Sequence, residues 1–562
     1  MHESWRIRIY GIANGVKNIA IIPRHIGSLI LNSFWLLASG CSPAPGLCLP
    51  ILSRQFRCSR KRFADLLFDT AIAHSLGIGG STMTFEPTLA SLNAHRVPQW
   101  YEDAKFGIFI HWGLFAIPGF ASRHGSISDA FRDHYDTAVT RTPYTEWYWN
   151  AIKVPESESA VHHREVWNDR PYQSFREPFL EGLKQWKPDE WAALFAEAGS
   201  RYVVFVTKHH DGFCLWPSAV KNPHEKDWFS PRDIVGELAE AVRAKGMKFG
   251  VYYSGGIDWT FNREPLRTLA DFMGSVPGGD YPDYADAQTR ELIERYKPSV
   301  LWNDISWPTP LPRELELFAD YYNTIPEGVV NDRWMPATPE SAAMRDPKVR
   351  ANVDASLKAH MANAPSKGII PQLPPHCDFR TPEYAAFEGI ETKKWEATRG
   401  MSHSFGFNRR DTDTDYENVE ALIHSFIDAV AKNGNLLLNV GPRGEDAQIP
   451  AEQVSRLKGF GAWLRENGEG IYATRPWIRA EGKTADGGRV RFTANEATVY
   501  AHLLDAPKSG VITIEGEGFA HIKKAVHLAS GCAVVCKAST DGLNIVLDQP
   551  LSGAPAHGFA LS

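Results

Sequence analysis

The chain has 562 residues, 43% hydrophobic and 22% charged, which is longer than one ordinary domain and has the balance of a soluble globular protein. A formal net charge of −6 excludes the basic field that nucleic-acid binding needs, and seven cysteines do not make a disulfide framework. Aromatic residues stand out at 12%, with 18 Trp, a supply that suits both core packing and stacking on carbohydrate.

Residues 1–82 form an extension that reads two ways. Lys17 and Arg24 precede the apolar stretch IGSLILNSFWLLASGC, which resembles a bacterial lipoprotein signal ending at Cys41. Against this, the basic region is long, Ala38 stands where leucine is usual, and the basic segment RQFRCSRKRF follows. The alternative is an upstream segment ahead of a start at Met83. The first reading places the protein in the periplasm or on a membrane as a lipoprotein, the second in the cytoplasm. No stretch reaches the ~18–20 continuous apolar residues of a membrane span.

From residue 95 short apolar runs alternate with amphipathic stretches. The predicted strands are KFGIFIHW (105–112), RYVVFVTKHH (201–210), KFGVYYS (248–254), SVLWND (299–304), GVVNDR (328–333) and NLLLNVG (435–441), each read as buried on both faces. Helical patterns lie between them: DEWAALFAEAG, RDIVGELAEAVRAKG, YADAQTRELIERY and NVEALIHSFIDAVAKNG. For the second of these, Ser230 is the expected N-cap, Pro231 the first helical residue and Gly246 the stop. Such alternation predicts parallel strands joined by right-handed crossovers, and so an α/β fold with a (β/α)8-like, TIM-type barrel over 83–477. Residues 335–377, rich in Pro, Ala and Lys without periodicity, are expected to be an inserted loop. Over 478–562 short alternating runs with frequent turns predict a small C-terminal antiparallel β-sandwich. Cys532 and Cys536 on one strand would stand about 13 Å apart and cannot pair.

In a parallel barrel the site forms at the C-terminal ends of the strands. Five of the six runs end there in polar residues: His111; His209, His210 and Asp211; Ser254; Asp304; Asp332 and Arg333. Side chains two apart share a face, so Trp302 lies beneath Asp304 and Phe109 beneath His111, the pairing of ring and polar group that a pyranose uses. Adjacent histidines on a strand point opposite ways, and no H-x-H or i, i+4 pair appears, so neither a metal nor another cofactor is expected. Without G-x-S-x-G, acyl transfer is unsupported. Carboxylate chemistry remains, with Asp304 as one group and Asp211, Asp258, Asp332, Asp378 or Glu383 open as the second.

The series KFGIFIHWG, TEWYWN, KHHDGFCLW, FGVYYSGGIDW, VLWNDISWP, VVNDRW, KWEATRG, SFGFNRR and NLLLNVGPRG closely resembles bacterial α-L-fucosidases of glycoside hydrolase family 29, over residues 95 to about 480. The resemblance implies a retaining exo-hydrolase of terminal α-L-fucosides that forms a covalent glycosyl-enzyme. It places the nucleophile at Asp304 and the acid/base at Glu383, in DFRTPEY. It implies sugar contacts at His111, Glu146, Trp147, His209, His210, Tyr252 and Arg333, and an apolar wall for the C6 methyl at Phe109, Trp302 and Phe405. The partner implied is a fucosylated oligosaccharide or glycoconjugate, and a homo-oligomer is left open. Two rival readings are a metal-dependent barrel hydrolase built on His111, His209, His210 and Asp211, and a fucose-binding protein without catalysis.

Overall fold

Apolar runs rich in β-branched and aromatic residues make strands that bury both faces. In the computed structural model, which describes residues 84–123, 125–363, 368–539, 541–551 and 553–562, all six predicted runs are strands: β1 (Phe106–Ile110), β2 (Tyr202–Lys208), β3 (Lys248–Ser254), β4 (Val300–Asp304), β5 (Val329–Val330) and, after one more, β7 (Gly434–Val440). The addition is β6 (Trp395–Arg399). Its sequence, WEATR, does not read as an apolar run because Glu396 stands second in it and Thr398 and Arg399 end it. The expectations for residues 1–82 fall outside the described residues, among which no helix is long and apolar enough to cross a membrane.

All seven strands are parallel, in the order β5-β4-β3-β2-β1-β7-β6. The curled sheet is closed by an irregular segment, residues 378–384. Asp378 N–H donates to Val330 O on β5. Across the other side Arg380 N–H donates to Lys394 O, and the N–H groups of Glu396 and Thr398 on β6 donate to Arg380 O and Pro382 O. This seam takes the eighth strand's place both in space and in chain order. Glu383 lies on it, pinned by reciprocal backbone hydrogen bonds of 2.7 Å with Ile369.

Strand parity divides the barrel wall. Phe109, Tyr202, Val204, Val206, Tyr252, Val300, Trp302 and Leu437 form the interior cluster together with Tyr101 and Phe379, whereas Ile108, Phe205, Val251 and Leu301 face the helices. Gly107 makes room for this filling, since a Cβ there would meet the Tyr202 ring at 2.4 Å.

Two local expectations are corrected. The helix Ile234–Ala244 is capped by Asp233, whose carboxylate accepts the Gly236 N–H, and not by Ser230. The Ser230 hydroxyl donates instead to Arg232 O, which leaves Pro231 in the turn before the helix. Residues 335–377 are not simply loop: they carry helices Pro339–Ala343 and Pro347–Met361. Each has a proline at its start and a side-chain cap, Thr338 and Asp346, but only Leu357 and Met361 are buried, so neither shows an apolar stripe.

The C-terminal part is all antiparallel: β8 (Arg475–Lys483), β9 (Arg489–Ala494), β10 (Val499–Leu503), β11 (Val511–Glu515), β12 (Ala525–His527), β13 (Cys532–Ser539), β14 (Gly542–Val546) and β15 (His557–Leu561). Their order is β11-β14-β13-β12-β15-β10-β9-β8, with β13 shared between two sheets that enclose Val490, Phe492, Ile512, Ile514, Phe519 and Phe559. Cys532 and Cys536 both lie on β13 and are free.

Phe379 carries the seam's apolar contact with the barrel interior: it is fully buried, its ring 4.8 Å from that of Tyr101. We expect Phe379→Ala to cost about 3–5 kcal/mol in equilibrium urea unfolding. A loss under about 1 kcal/mol would show that the seam does not hold the barrel shut.

Candidate active site

All twelve site residues anticipated from the sequence line one cavity of about 930 Å³, counted to its mouth, at the C-terminal ends of the strands. Trp302 and Phe109 lie at its base, with ring centroids 5.2 Å apart, and Tyr252 stacks on Trp302 at 5.4 Å. Phe405 sits 4.9 Å from the His111 ring. The parity argument therefore holds for both of its pairs.

One guanidinium organises the charged half. Arg333 Nη1 donates to Asp304 Oδ1 at 3.0 Å, and Nη2 donates to Glu383 Oε2 at 2.9 Å. Its Nε donates to Thr381 Oγ1 (3.1 Å), and its Cζ stands 4.8 Å over the Trp302 ring. Thr381 is itself fixed, since its N–H and hydroxyl both donate to Asp332 Oδ1. The outer oxygens are held too. Tyr252 O–H donates to Asp304 Oδ2 (2.8 Å) and Tyr144 O–H to Glu383 Oε1 (2.7 Å). Burial pushes the Asp304 carboxyl above its usual range, while Arg333 pulls it back down and Glu383 pushes it up. Burial also works against the Arg333 charge, but Glu383, Asp304 and Asp332 together hold its pKa above the ordinary value.

The five candidates for a second carboxylate are separated by the fold. Asp211 accepts the Tyr172 hydroxyl, Asp258 pairs with the buried Lys208, and Asp378 pairs with His95. None of these three lines the cavity. Asp332 does, but one of its oxygens is taken by Thr381; Glu383 shares Arg333 with Asp304.

The other half of the pocket is neutral. His111 Nδ1 lies 2.6 Å from Asn439 Oδ1, and Asn439 Nδ2 donates to Phe405 O, so His111 must donate through Nδ1 and keep a lone pair on Nε2. Ser254 O–H donates to Ile257 O, so the His210 Nδ1 at 2.7 Å donates to Ser254 Oγ. Burial drives His111 down to about 3 and takes His209 and His210 well below the usual imidazole range. It pushes the Glu146 carboxyl up to about 8, against the Gly406 N–H that donates to it at 3.1 Å. The Trp147 ring stands edge-on to His210 at 4.9 Å.

The expectation that adjacent histidines diverge is corrected: His209 and His210 both line the cavity, with ring centroids 4.1 Å apart. Strand β2 ends at Lys208, and alternation stops where the turn begins. Trp307 is fully buried against Trp334, outside the cavity. The residues after Asp304 are strained, Ile305 and Ser306 both having positive φ (58° and 68°), a conformation that costs on the order of 1–3 kcal/mol per residue. Asn303 Nδ2 holds this turn by donating to Ser306 O and Arg333 O.

Comparison with known proteins decides the family. A profile described as Alpha-L-fucosidase matches residues 75–469. The chain belongs to the α-L-fucosidase family. It is 31% identical to the tissue α-L-fucosidase of Bos taurus over 444 residues, covering 76% of this chain and 80% of that one. It is 30% identical to the human tissue enzyme over 510 residues, covering 88% and 94%. Among solved structures, a Thermotoga maritima α-fucosidase in complex with a mechanism-based inhibitor superposes with a TM-score of 0.70 at 36% identity, covering 85% of this chain and 99% of that one. Fucosidases from mammals and from a bacterium are thus both similar to the chain.

Reading the sequence for strand ends did not find Tyr144, Thr381, Asn439 or Glu396. Glu396 lies under the site with no solvent exposure, accepting hydrogen bonds from Tyr101 (2.8 Å), Tyr202 (2.5 Å) and Trp302 Nε1 (3.3 Å). Burial raises its carboxyl to about 7, against those three donors. It is the hydrogen-bond partner of the Trp302 indole, so we expect Glu396→Leu to raise the inhibition constant of free L-fucose about tenfold, the weight of a lost hydrogen bond to a charged group. Glu396→Gln, which keeps an acceptor for the indole, should stay within about threefold of wild type. Equal effects of the two substitutions would rule out the tether.

Proposed function

We propose that this family member hydrolyses terminal α-L-fucosides of fucosylated oligosaccharides or glycoconjugates with retention of configuration. The observation that carries the reading is the pair of carboxylates, Asp304 and Glu383, held by one guanidinium in a pocket floored by aromatic rings. A pocket closed at its base accepts a chain end, which supports exo action. Asp304 attacks the anomeric carbon while Glu383 gives its proton to the leaving oxygen; Glu383 then takes a proton from water, which releases the sugar from Asp304. Such chemistry asks for carboxyl groups about 5–5.5 Å apart. His111, His209, His210, Glu146 and Trp147 are assigned to the sugar hydroxyls, Tyr252 and Arg333 to the reacting end, and Phe109, Trp302 and Phe405 to the methyl group. Neutral imidazoles with fixed tautomers suit a neutral ligand. On the leaving-group side the lining comes from residues 119–145 (Ile127, Tyr144) and 335–377 (Met335, Ile369, Pro371, Gln372), and none comes from 150–187.

Asp304→Ala should lose about 10³-fold or more in kcat on an aryl α-L-fucoside and regain part of it with azide, because the nucleophile is gone while the pocket survives. Glu383→Ala should lose much less on that substrate than on a natural glycoside. Near-wild-type turnover by the first variant, or equal losses by the second on both substrates, would overturn these assignments.

Arg333 pulls the Asp304 pKa down, and Asp304 must be ionised to attack. Removing the guanidinium raises that pKa, so activity is lost at a higher pH on acidification. We expect the acidic limb of kcat/KM for Arg333→Met to lie above that of wild type. A limb that stays in place or moves down would show that Arg333 does not set the charge of Asp304.

A further inference from the structure

A second ligand chemistry is built into the neutral half of the pocket. One nitrogen of His111, one nitrogen of His209 and one carboxylate oxygen of Glu146 lie within 4.8 Å of one another, all three residues being buried. They come from the end of β1, the short helical turn Thr145–Trp147 and the end of β2. No local spacing in the sequence brings them together, which is why a search for H-x-H or i, i+4 pairs passes over them.

We infer that His111, Glu146 and His209 form a binding site for a borderline divalent transition ion, Zn²⁺ being the probe of choice, and that the ion competes with the sugar. Two imidazoles and one carboxylate are a donor set that zinc takes with a fourth position left open, here toward the cavity. Bonds of about 2.0–2.2 Å put such donors roughly 3.3 Å apart, so side-chain shifts of about 1 Å complete the site. The donors are available. His111 is held through Nδ1 by Asn439, which leaves its Nε2 lone pair free, and a ligand imidazole anchored through its other nitrogen is the arrangement metal sites use. His209 is 4% exposed, and its Nδ1 has no hydrogen-bond partner among the described residues. Glu146 accepts from its own backbone N–H, from the Gly406 N–H and, at 3.5 Å, from the Thr145 hydroxyl, and no cation pairs with it among the described residues. The two nearby cations are committed elsewhere, Arg333 to Asp304 and Glu383 and Lys208 to Asp258. Three uncommitted donors gathered within 4.8 Å therefore make a cation site whose place the sugar hydroxyls take during turnover. The ion has no part in the hydrolytic steps proposed above. The competition rests on that functional reading, whereas the binding itself does not.

The test uses the full chain stripped with EDTA. Calorimetry with Zn²⁺ and absorption with Co²⁺ should show one ion per chain, and His209→Gln and Glu146→Gln, checked for folding by circular dichroism, should each weaken it about tenfold or more. With wild type alone, excess L-fucose should displace Co²⁺. Zn²⁺ should raise KM for an aryl α-L-fucoside with kcat unchanged, and EDTA should reverse this. No stoichiometric binding, unchanged binding by both folded variants, no displacement by fucose, or a stripped enzyme that needs Zn²⁺ to work would each overturn the inference. Ion binding by a chain with no fucosidase activity would uphold the site and sink only the functional reading.

Discussion

A guanidinium withdrawn from water is costly unless charged partners surround it, and in this protein Arg333 supplies that constraint. It needs both Asp304 and Glu383, and they come from different parts of the wall, β4 and the seam. The geometry of the charged half of the pocket is thus set by a requirement of charge compensation. Thr381 and Asp332 fix the guanidinium's edge and Trp302 supports its face, so its position is determined from three sides.

The contrast with the opposite wall is a matter of dielectric. There the side chains are as deeply buried, but no counter-charge pairs with them among the described residues, and burial leaves the three histidines neutral and favours the protonated form of Glu146. One cavity therefore holds a charged end suited to bond cleavage and a neutral end suited to hydroxyls. The tautomers at the neutral end are dictated from outside it by Asn439 and Ser254.

Legibility in the sequence followed regularity. Six strands, the parity of Phe109 with His111 and of Trp302 with Asp304, and the free cysteines were open to reading because period two and apolar runs are local properties. Glu383 was not fixed by pattern, since the seam has no strand periodicity; only the resemblance singled it out from Asp211, Asp258, Asp332 and Asp378. Tyr144, Thr381 and Asn439 act through contacts between segments far apart in the chain, and no window of sequence records such a contact. β6 escaped because the residue that interrupts its apolar pattern, Glu396, is the one that serves the interior. The histidine pair was misjudged for a related reason: the rule of alternation was carried two residues past the strand's end.

The hydrogen bond between Trp302 and Glu396 joins β4 to β6, two strands that are not neighbours in the sheet. It spans the interior past the seam, the least regular part of the wall. The barrel is thus cross-braced, and β4 and β6 form one unit of inheritance although nearly a hundred residues separate them. A chimera that draws the two strands from different parents would keep every strand's own pattern and still lose the match between ring and carboxylate. Crossover points that respect the strands alone are therefore insufficient; those that keep residues 300–399 together preserve the brace.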